Sequence, residues 1–538
     1  MSEITKQQSQ IANRKSQITW LILALLIVAV YFIGLTIPLL GPDEPRYSQV
    51  AREMFLRGDW VTPTLGGFDW FEKPALLYWL QIASYKIFGV SEFAARFGSA
   101  AFGLGTVLSL RILGRKWSAI SSQQSDETQN PKSEIQNRGD FANWLALIAA
   151  SSIGLIVFSR GASFDIILTF PVTASLVSFF IWEISHWKHG ETQNKKSFFS
   201  KTSVFSVALI GFYFFIGVAL IAKGLVGIVF PFAIVAFYYL LSRKFPPKTF
   251  ILSLFWGTFL ALLVACAWYL PMYRANGWKF VDEFFIQHHF QRYTSNKYQH
   301  PQPFYFFLWV LPLMTIPWLP FFFASIWNLI RRIFSRGNAE NAEDKNHSFS
   351  SSPLLLFSVS WLLVPLVFFS ISGSKLPGYI LPALPAALIL TAESVRRFVQ
   401  KSRARQIFVQ TIAALTLIIV AILSQFFVTN FLHEETVKHL IDTANSKGYA
   451  NEKILTLHTI SHSAEFYGAG RLVREEDGKQ KRLYGVSQVV DEMNRENVKQ
   501  ILVLIPIVYL PQITKSDLFE SQVLDDNGEL AMTVVRLK

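Results

Sequence analysis

The stretch ITWLILALLIVAVYFIGLTIPLLGPDEPRY, residues 18–47, decides the fold class of this chain. Residues 18–40 are uncharged and mostly apolar, and a helix needs about 20 such residues to cross the hydrocarbon core of a bilayer. Two acidic residues, Asp43 and Glu44, follow at once, at the depth of lipid headgroups. Charges this close to hydrocarbon are costly unless they are paired or functional. The stretch therefore predicts a membrane span that ends at a candidate site.

The composition of the whole chain is that of a membrane protein. Of its 538 residues 51% are hydrophobic and only 16% are charged, whereas soluble proteins carry about 25% charged residues. Further apolar runs of roughly spanning length lie at 92–112, 141–158, 165–185, 203–221, 224–241, 251–271, 304–329, 353–371, 379–395 and 407–428. We therefore predict a mostly α fold, a polytopic membrane protein of about 11–13 transmembrane helices.

Charged residues in the loops indicate the orientation of the chain. If the tail 1–17 is cytoplasmic and the helices alternate, the inner loops hold roughly twice as many Lys and Arg residues as an equal length of outer loops. This bias accounts for much of the net charge of +13, and no basic stripe on a soluble fold points to nucleic acid. The pattern predicts a transmembrane region over 18–428 with its N-terminus inside.

The composition changes towards the C-terminal end. Residues 429–538 are charged and mixed, with strand-like runs at Ile454–His458 and Gln500–Ile505 and a helical pattern at Val486–Asn497 between them. We predict a small α/β domain here, and the charge argument places it outside the membrane.

The outer segments carry charges that the topology does not require. The first outer loop, 39–91, holds two carboxylates after a span, and later outer segments repeat this feature. The candidate residues are Asp43, Arg46, Tyr47, Glu72, Lys73, Asp165, Lys223, His288, His289, Arg292, Lys375 and Tyr379. Each alone has a plain account as a helix cap, a snorkelling lysine or an interfacial aromatic. Their convergence on one face, against the positive-inside bias, indicates a site. By contrast, Arg52, Glu53 and Arg57 are expected on a solvated helix face.

These residue types suit the chemistry of a lipid phosphate. Lys73, Lys223, Arg292 and Lys375 can neutralise a phosphate or pyrophosphate at the membrane surface. Neighbouring carboxylates can accept a proton from a hydroxyl or stabilise positive charge at an anomeric carbon. The sequence holds no Walker loop and no convincing dinucleotide fingerprint. Two functions stay open at this point: transfer of a sugar from a lipid phosphate, and transport or flipping of lipid-linked sugars.

The ordered set of motifs resembles the GT-C glycosyltransferases. The motifs are Gly-Pro-Asp-Glu-Pro-Arg-Tyr at 41–47, Phe-Glu-Lys-Pro at 71–74, Asp165, Ala-Lys-Gly at 222–224, the histidine segment 288–293 and Ser-Lys-Leu-Pro-Gly-Tyr-Ile-Leu-Pro at 374–382. They look most like the aminoarabinose transferases of lipid A, relatives of the protein O-mannosyltransferases. The resemblance spans roughly residues 18–395.

The resemblance implies a polyprenyl-phosphate sugar donor, such as an undecaprenyl phosphate sugar, and transfer with inversion on the periplasmic face. It implies a multi-pass protein of the bacterial inner membrane with a cytoplasmic N-terminus and a periplasmic C-terminal domain. The acceptor stays open between a lipid A-like glycolipid, a protein and a glycan, and the sugar is not specified.

The resemblance also implies roles for single residues. Asp43 and Asp165 match the two important acids, and Lys73 matches a residue that contacts the donor phosphate. Arg46, Tyr47 and Tyr379 line the same cavity, where Lys223, Arg292 and Lys375 would assist. Glu72 and His289, with His288 as the alternative, match a zinc pair. Gly378 departs from a common polar residue of the family, which puts the shape of the acceptor cavity in doubt.

Overall fold

The computed structural model describes residues 2–121, 131–191, 198–291, 302–334, 352–427 and 436–538. The chain forms two compact units. The first unit comprises Met1–Phe32, Glu72–Leu76 and Ser99–Val420, and the second comprises Ile33–Phe71, Leu77–Gly98 and Ala421–Lys538. The predicted domain boundary at 428 and 429 lies outside the described residues.

Helices dominate the first four hundred residues. In chain order they are α1 (Ser2–Phe32), α2 (Asp43–Arg57), α3 (Leu76–Phe88), α4 (Glu92–Ser121), α5 (Pro131–Ala150), α6 (Ile153–Ser159), α7 (Phe164–Glu191), α8 (Phe198–Lys223), α9 (Val226–Ser242), α10 (Lys248–Val281), α11 (Phe306–Met314), α12 (Leu319–Phe334), α13 (Pro353–Ile371), α14 (Leu384–Val399) and α15 (Arg403–Ile422). A π-helix, Asp282–Gln291, continues α10, and another, Leu423–Phe427, continues α15; a 3-10 helix, Pro377–Ala383, leads into α14.

The C-terminal residues mix short helices with strands. The helices are α16 (Lys438–Ala444), α17 (His462–Tyr467), α18 (Val486–Arg495) and α19 (Pro511–Thr514), with a π-helix at Asn445–Tyr449 and a 3-10 helix at Ile507–Tyr509. The strands are β1 (Thr64–Leu65), β2 (Phe68–Asp69), β3 (Ile454–Leu457), β4 (Arg482–Leu483), β5 (Gln500–Pro506), β6 (Phe519–Asp526) and β7 (Leu530–Leu537).

Several helices are long and apolar enough to cross a membrane. Among the described residues six do so by length and composition, namely Glu92–Ala119, Phe164–His186, Lys248–Gln287, Pro353–Ile371, Pro377–Val399 and Arg403–Phe426. The apolar end of α5 and α6 form a pair bent by 59°, and Ser16–Phe32, Val207–Lys223 and Val226–Ser242 are shorter apolar helices. The chain is thus a multi-pass membrane protein, and the predicted mostly helical class is confirmed. The number of spans stays a prediction.

Two predicted spans are interrupted in the structure, and the first of them, 141–158, is divided between α5 and α6. The apolar run 304–329 is divided into α11 and α12, which end and begin on either side of residues 315–318. Pro317 lies in this break and has no backbone N–H to donate to a continuous helix. A hydropathy pattern does not show such an interruption, because it averages the polarity of the residues and does not record the missing N–H group of proline.

Small residues allow the helices of the first unit to approach closely. α8 packs against both α7 and α10. A side chain at Gly217 would come within 2.6 Å of the Ala261 carbonyl oxygen on α10, and Gly257 lies directly against the ring of Tyr213. Close backbone approach at small residues is a common basis of helix association in membranes. This packing sets the positions of the helix ends, where the candidate residues lie.

The second unit contains a five-stranded mixed sheet of order β4-β3-β5-β7-β6. β4, β3 and β5 are parallel, and β7 pairs antiparallel with β5 and β6. One face of the sheet packs on α16 and α17, and the other face packs on α18 and α19. The α/β class predicted for the C-terminal region is confirmed.

The first outer loop folds onto this sheet domain within the second unit. α2 packs against α17, and the Arg52 guanidinium donates to the Phe466 carbonyl at 3.2 Å. The Tyr467 hydroxyl accepts from the Leu39 amide at 2.9 Å and donates to Glu92 at 3.2 Å. Residues far apart in sequence therefore build one compact unit.

Candidate active site

Asp165, Lys223 and Tyr379 form one group in the first unit. Asp165 lies in the first turn of α7 and Lys223 is the last residue of α8. The close packing of α7 on α8 brings these two ends together, and Lys223 forms an ion pair with the Asp165 carboxylate. The Lys223 ammonium also lies 5.0 Å from the centroid of the Tyr379 ring, within the range of a cation–π interaction. The structure thus assembles three of the predicted residues.

The start of α7 holds Asp165 in place. The Ser163 hydroxyl accepts the Asp165 amide at 3.1 Å and donates to its carboxylate at 3.4 Å. Serine is favoured at such helix starts because its oxygen satisfies amides that lack an intrahelical partner. The aspartate is therefore oriented from both its backbone and its side chain.

Gly378 leaves room for the Asp165 carboxylate. A Cβ atom added at this position would overlap Asp165 Oδ2 and come within 2.7 Å of the Phe158 ring. The backbone of residue 378 is not in the left-handed region, so the space beside it explains the glycine here. The backbone of residue 378 thus lies directly against the Asp165 carboxylate.

Two lysines of the first unit have local partners. Lys73 lies 2.9 Å from the Glu72 carboxylate, with both side chains mostly buried. Buried Lys375 donates to the Ser372 carbonyl at 2.6 Å and to the Gln302 carbonyl at 3.0 Å. Lys375 thus closes its own turn through backbone carbonyls.

Asp43 and Arg46 form a second group, in the second unit. Arg46 donates to Asp43 at 2.7 Å and to the Pro42 carbonyl at 2.9 Å, and its guanidinium lies 5.8 Å from the Trp70 ring centroid. The Asp43 side chain is 51% exposed, so its carboxylate is open to a substrate. Tyr47, by contrast, is buried in the core.

His462 at the start of α17 is electrostatically coupled to this second group. Its pKa is lowered by burial and by the positive charge of Arg46, and the Asp43 carboxylate opposes this shift. Because the lowered pKa favours the neutral imidazole near pH 7, a neutral hydrogen-bonding group belongs to the surroundings of Asp43. Sequence reasoning missed His462, because only the packing of α17 on α2 brings it near Asp43.

The neighbouring acid, Glu44, has a structural role that the sequence did not reveal. It accepts from Arg96 at 2.6 Å and from the Leu40 amide at 2.8 Å. Arg96 is 1% exposed and also donates to the carbonyls of residues 35, 37 and 38. A buried arginine in a span of small and apolar residues was the available signal, since such charges are paired or functional.

Glu53 also differs from expectation. Instead of facing solvent, its carboxylate accepts from the Thr64 hydroxyl at 2.8 Å and from the amides of Gly66 at 2.6 Å and Gly67 at 3.1 Å. It therefore holds the β1–β2 hairpin. The expectation failed because amphipathic spacing describes a helix face and not the loop that returns to cover it.

Arg292 and the side chains of His288 and His289 lie outside the part of the chain that the structure describes. Within that part, no three His, Cys, Asp or Glu side chains converge, and Glu72 is paired with Lys73. Catalytic zinc sites use three protein ligands, so a zinc ion would need ligands besides Glu72, and the zinc pair stays a prediction.

Comparison with known sequences gives a consistent set of relatives. The chain is 30% identical over 406 residues to undecaprenyl phosphate-alpha-4-amino-4-deoxy-L-arabinose arabinosyl transferase 2 of Proteus mirabilis, covering 72% of this chain and 62% of that protein. A transferase of the corresponding name from Yersinia enterocolitica is 30% identical over 379 residues, covering 69% and 58%. The chain thus spans about six tenths of the length of these relatives. No family model matches the chain.

Comparison with solved structures covers nearly the whole chain. ArnT from Cupriavidus metallidurans, bound to undecaprenyl phosphate, aligns with a TM-score of 0.71 at 19% identity, covering 96% of this chain and 97% of that one. The oligosaccharyltransferase of Archaeoglobus fulgidus aligns with a TM-score of 0.53 at 13% identity, covering 91% and 69%. At these identities the likeness concerns the fold. The chain therefore has the GT-C fold, and in sequence it is similar to the aminoarabinose transferases.

Proposed function

We propose that this chain is a glycosyltransferase that moves a sugar from a polyprenyl-phosphate donor to an acceptor, with inversion at the anomeric carbon. The observation that carries the proposal is the group of Asp165, Lys223 and Tyr379 at helix ends, in a fold shared with a protein that binds undecaprenyl phosphate. A lysine at a helix end next to the hydrocarbon region is suited to a lipid phosphate.

Lys73 and Lys223 are the cations that would hold the donor phosphate. Each lies beside a carboxylate, Glu72 or Asp165, and can exchange part of that pairing for phosphate oxygens. As the anomeric carbon–oxygen bond breaks, its electron pair passes to the phosphate, and the lysines stabilise the charge that develops there. Lys375 would support the site by closing its turn.

Asp43 would act on the acceptor. Its exposed carboxylate can take the proton of an attacking hydroxyl while the new bond to the anomeric carbon forms. Arg46 holds the carboxylate at 2.7 Å and sets its direction. If the acceptor is already an anionic phosphate, no base is needed, and Asp43 would instead position groups and stabilise oxocarbenium character.

The proposal also names the class of acceptor and the side of the membrane on which the reaction takes place. We favour a lipid A-like glycolipid over a protein or a free glycan, because the sequence relatives are aminoarabinose transferases. The reaction would take place on the periplasmic face of the bacterial inner membrane, where the outer loops and the C-terminal domain lie by the charge bias of the sequence.

Transfer can be measured in proteoliposomes that contain the purified chain, a labelled undecaprenyl-phosphate sugar and lipid A. We expect labelled lipid A from the wild type, and a loss of at least about a hundredfold in Asp165→Asn and, with a hydroxyl acceptor, in Asp43→Asn. Asp491→Asn, at an exposed position of the sheet domain, is the matched control and should retain full activity.

Two results would contradict the proposal. Full activity of Asp43→Asn with a hydroxyl acceptor would remove the base assignment. Movement of the labelled donor between leaflets, with no labelled product from any acceptor, would identify a transporter or flippase of lipid-linked sugars instead.

A further inference from the structure

Three parallel strands end at one edge of the sheet in the second unit. β3, β4 and β5 are followed directly by His458, by Tyr484 and by the turn that contains Tyr509. The His458 ring stacks on Tyr509 with a centroid distance of 4.0 Å and an angle of 18° between the ring planes. Tyr484 meets the same imidazole edge-on at 5.9 Å. The strand ends thus present a cluster of three rings.

At this edge of the sheet the connecting helices lie on opposite faces. The connection after β3 passes through α17 on one face of the sheet, whereas the connection after β5 passes through α19 on the opposite face. Because neighbouring parallel strands here send their connections to opposite faces, the loops diverge at their carboxyl ends. Open α/β sheets bind ligands at such switch points. His458 and Tyr509 lie at this one.

His458 has a backbone conformation that residues other than glycine rarely adopt. Its φ is +59°, in the left-handed region, which is unfavourable for a residue with a side chain. Its ring is held by the stack on Tyr509 and by a hydrogen bond of 3.0 Å between Nε2 and the Gln512 Oε1 atom. Residues with such strained backbone conformations are found more often at active sites and ligand-binding sites than elsewhere.

The chemistry of the exposed groups selects the ligand class. Tyr484 and Tyr509 are 56% and 42% exposed, and their rings offer flat apolar faces with polar rims. Arg482 lies over the Tyr484 ring, 5.1 Å from its centroid, and donates to the His458 carbonyl at 2.9 Å. Flat aromatic faces beside hydrogen-bonding groups match a pyranose, which has an apolar C–H face and a rim of hydroxyls.

The strand-end cluster is also linked to the residues of the proposed reaction. The loop that begins at His458 leads within a few residues to His462, which is coupled electrostatically to Arg46 and Asp43. We propose that His458, Arg482, Tyr484 and Tyr509 form a saccharide-binding site that takes a sugar ring of the acceptor. The assignment to the acceptor rests on the proposed function, whereas saccharide binding itself does not.

Binding can be tested with the full chain in nanodiscs and two soluble probes, N,N′-diacetylchitobiose and maltotetraose, by saturation-transfer NMR. We expect at least one probe to bind the wild type. The Tyr484→Ala substitution should weaken the binding of that probe by about tenfold, whereas Tyr484→Phe should retain most of the wild-type affinity. Tyr484 is chosen because its exposed ring can be removed without opening the core. The control is Leu518→Ala, an exposed residue beside the start of β6, at the opposite edge of the sheet.

The outcomes separate this inference from the proposed function. If neither probe binds the wild type, or if Tyr484→Ala binds like the wild type, the saccharide site is wrong even if sugar transfer is observed. If a probe binds and Tyr484→Ala weakens it, the site stands even if no transfer is found. With transfer established, Tyr484→Ala should raise the KM for the acceptor at least about threefold and leave that for the donor unchanged; an unchanged acceptor KM would refute the acceptor role.

A lipid surface is the competing occupant. Cys266 is the single cysteine of the chain, so a Cys266→Ser, Tyr484→Cys variant can carry one fluorescent label at the strand-end cluster. Nitroxide-labelled lipids in the nanodisc should leave this label unquenched. Strong quenching would mean that the cluster lies in the bilayer interface and would overturn the saccharide site.

Discussion

Single residues of this chain divide into those that hold the structure and those that are open to a substrate. Asp43 and Glu44 are neighbours, yet Asp43 is half exposed beside Arg46 whereas Glu44 is tied to buried Arg96. The sequence predicted that this acidic pair is special, because two charges follow a span. It singled out Asp43 as the candidate site residue but not the structural role of Glu44, since the partner of Glu44 lies far along the chain and only the fold brings them together.

The space beside Asp165 yields a test at the residue scale. In Gly378→Ala the new methyl group would overlap the Asp165 carboxylate, so the carboxylate must move away from its place beside Lys223. We expect transfer to fall by about tenfold or more while the chain still folds. The measurement is kcat in proteoliposomes. Gly485→Ala, where an added Cβ meets no atom closer than 4.0 Å, should behave like the wild type, and equal rates in both variants would contradict the prediction.

The pair of Glu44 and Arg96 yields a second test. Glu44→Gln leaves a guanidinium with 1% exposure without its counter-charge, which typically costs about 3–5 kcal/mol of stability. We expect a clear fall in the thermal unfolding midpoint in detergent. Glu393→Gln removes the carboxylate of a much more exposed pair and should cost less than about 1 kcal/mol. Equal midpoints of the two variants would show that the buried pair is not important for stability.

At the scale of elements, helices were predictable and their ends were not. Apolar runs predicted α7, α8, α9 and α13 because each contains a continuous apolar segment of 17 residues or more. Periodicity did not predict the break between α11 and α12 or the β1–β2 hairpin, because both depend on a few backbone positions. The alternation of spans predicted that Asp165 and Lys223 lie on the same membrane face, but no residue pattern predicted that they form an ion pair.

The β1–β2 hairpin depends on one carboxylate. Its loop is Gly66-Gly67, both with positive φ, as a two-residue turn of type I′ requires, and Glu53 accepts from both of their amides. In Glu53→Ala these amides lose their acceptor, so we expect their hydrogen exchange to accelerate by at least about tenfold. Glu476→Ala, at an exposed position of the sheet domain, should leave the exchange unchanged. Unchanged hydrogen exchange of these amides in Glu53→Ala would show that the turn is stable without the Glu53 carboxylate.

At the scale of the whole molecule, the sequence predicts how the protein is oriented in the membrane. The folded structure alone does not report this orientation. The excess of Lys and Arg in alternate loops predicts a cytoplasmic tail and an external sheet domain. No distance inside the protein reports on which side of a bilayer a loop lies. The C-terminal domain class was predictable from its alternating strands, whereas its union with the first outer loop was not.

Orientation can be measured by cysteine labelling in a Cys266→Ser background. The Lys479→Cys variant tests the sheet domain, where the Lys479 side chain is 81% exposed. The Lys6→Cys variant tests the N-terminal tail. We expect a membrane-impermeant maleimide to label Lys479→Cys in intact spheroplasts and to label Lys6→Cys only after permeabilisation. The reverse pattern would invert the topology and remove the periplasmic site.

The second unit has a consequence for how the protein is made. Its first segments, Ile33–Phe71 and Leu77–Gly98, leave the ribosome early, whereas the sheet that they fold onto is contained in the last hundred residues or so. At about 5–20 residues per second, synthesis of the intervening chain takes some tens of seconds. During that time the segment with Asp43 lacks its folding partner. We therefore expect the segment that holds Asp43 to reach its final structure only after the sheet domain has been synthesised.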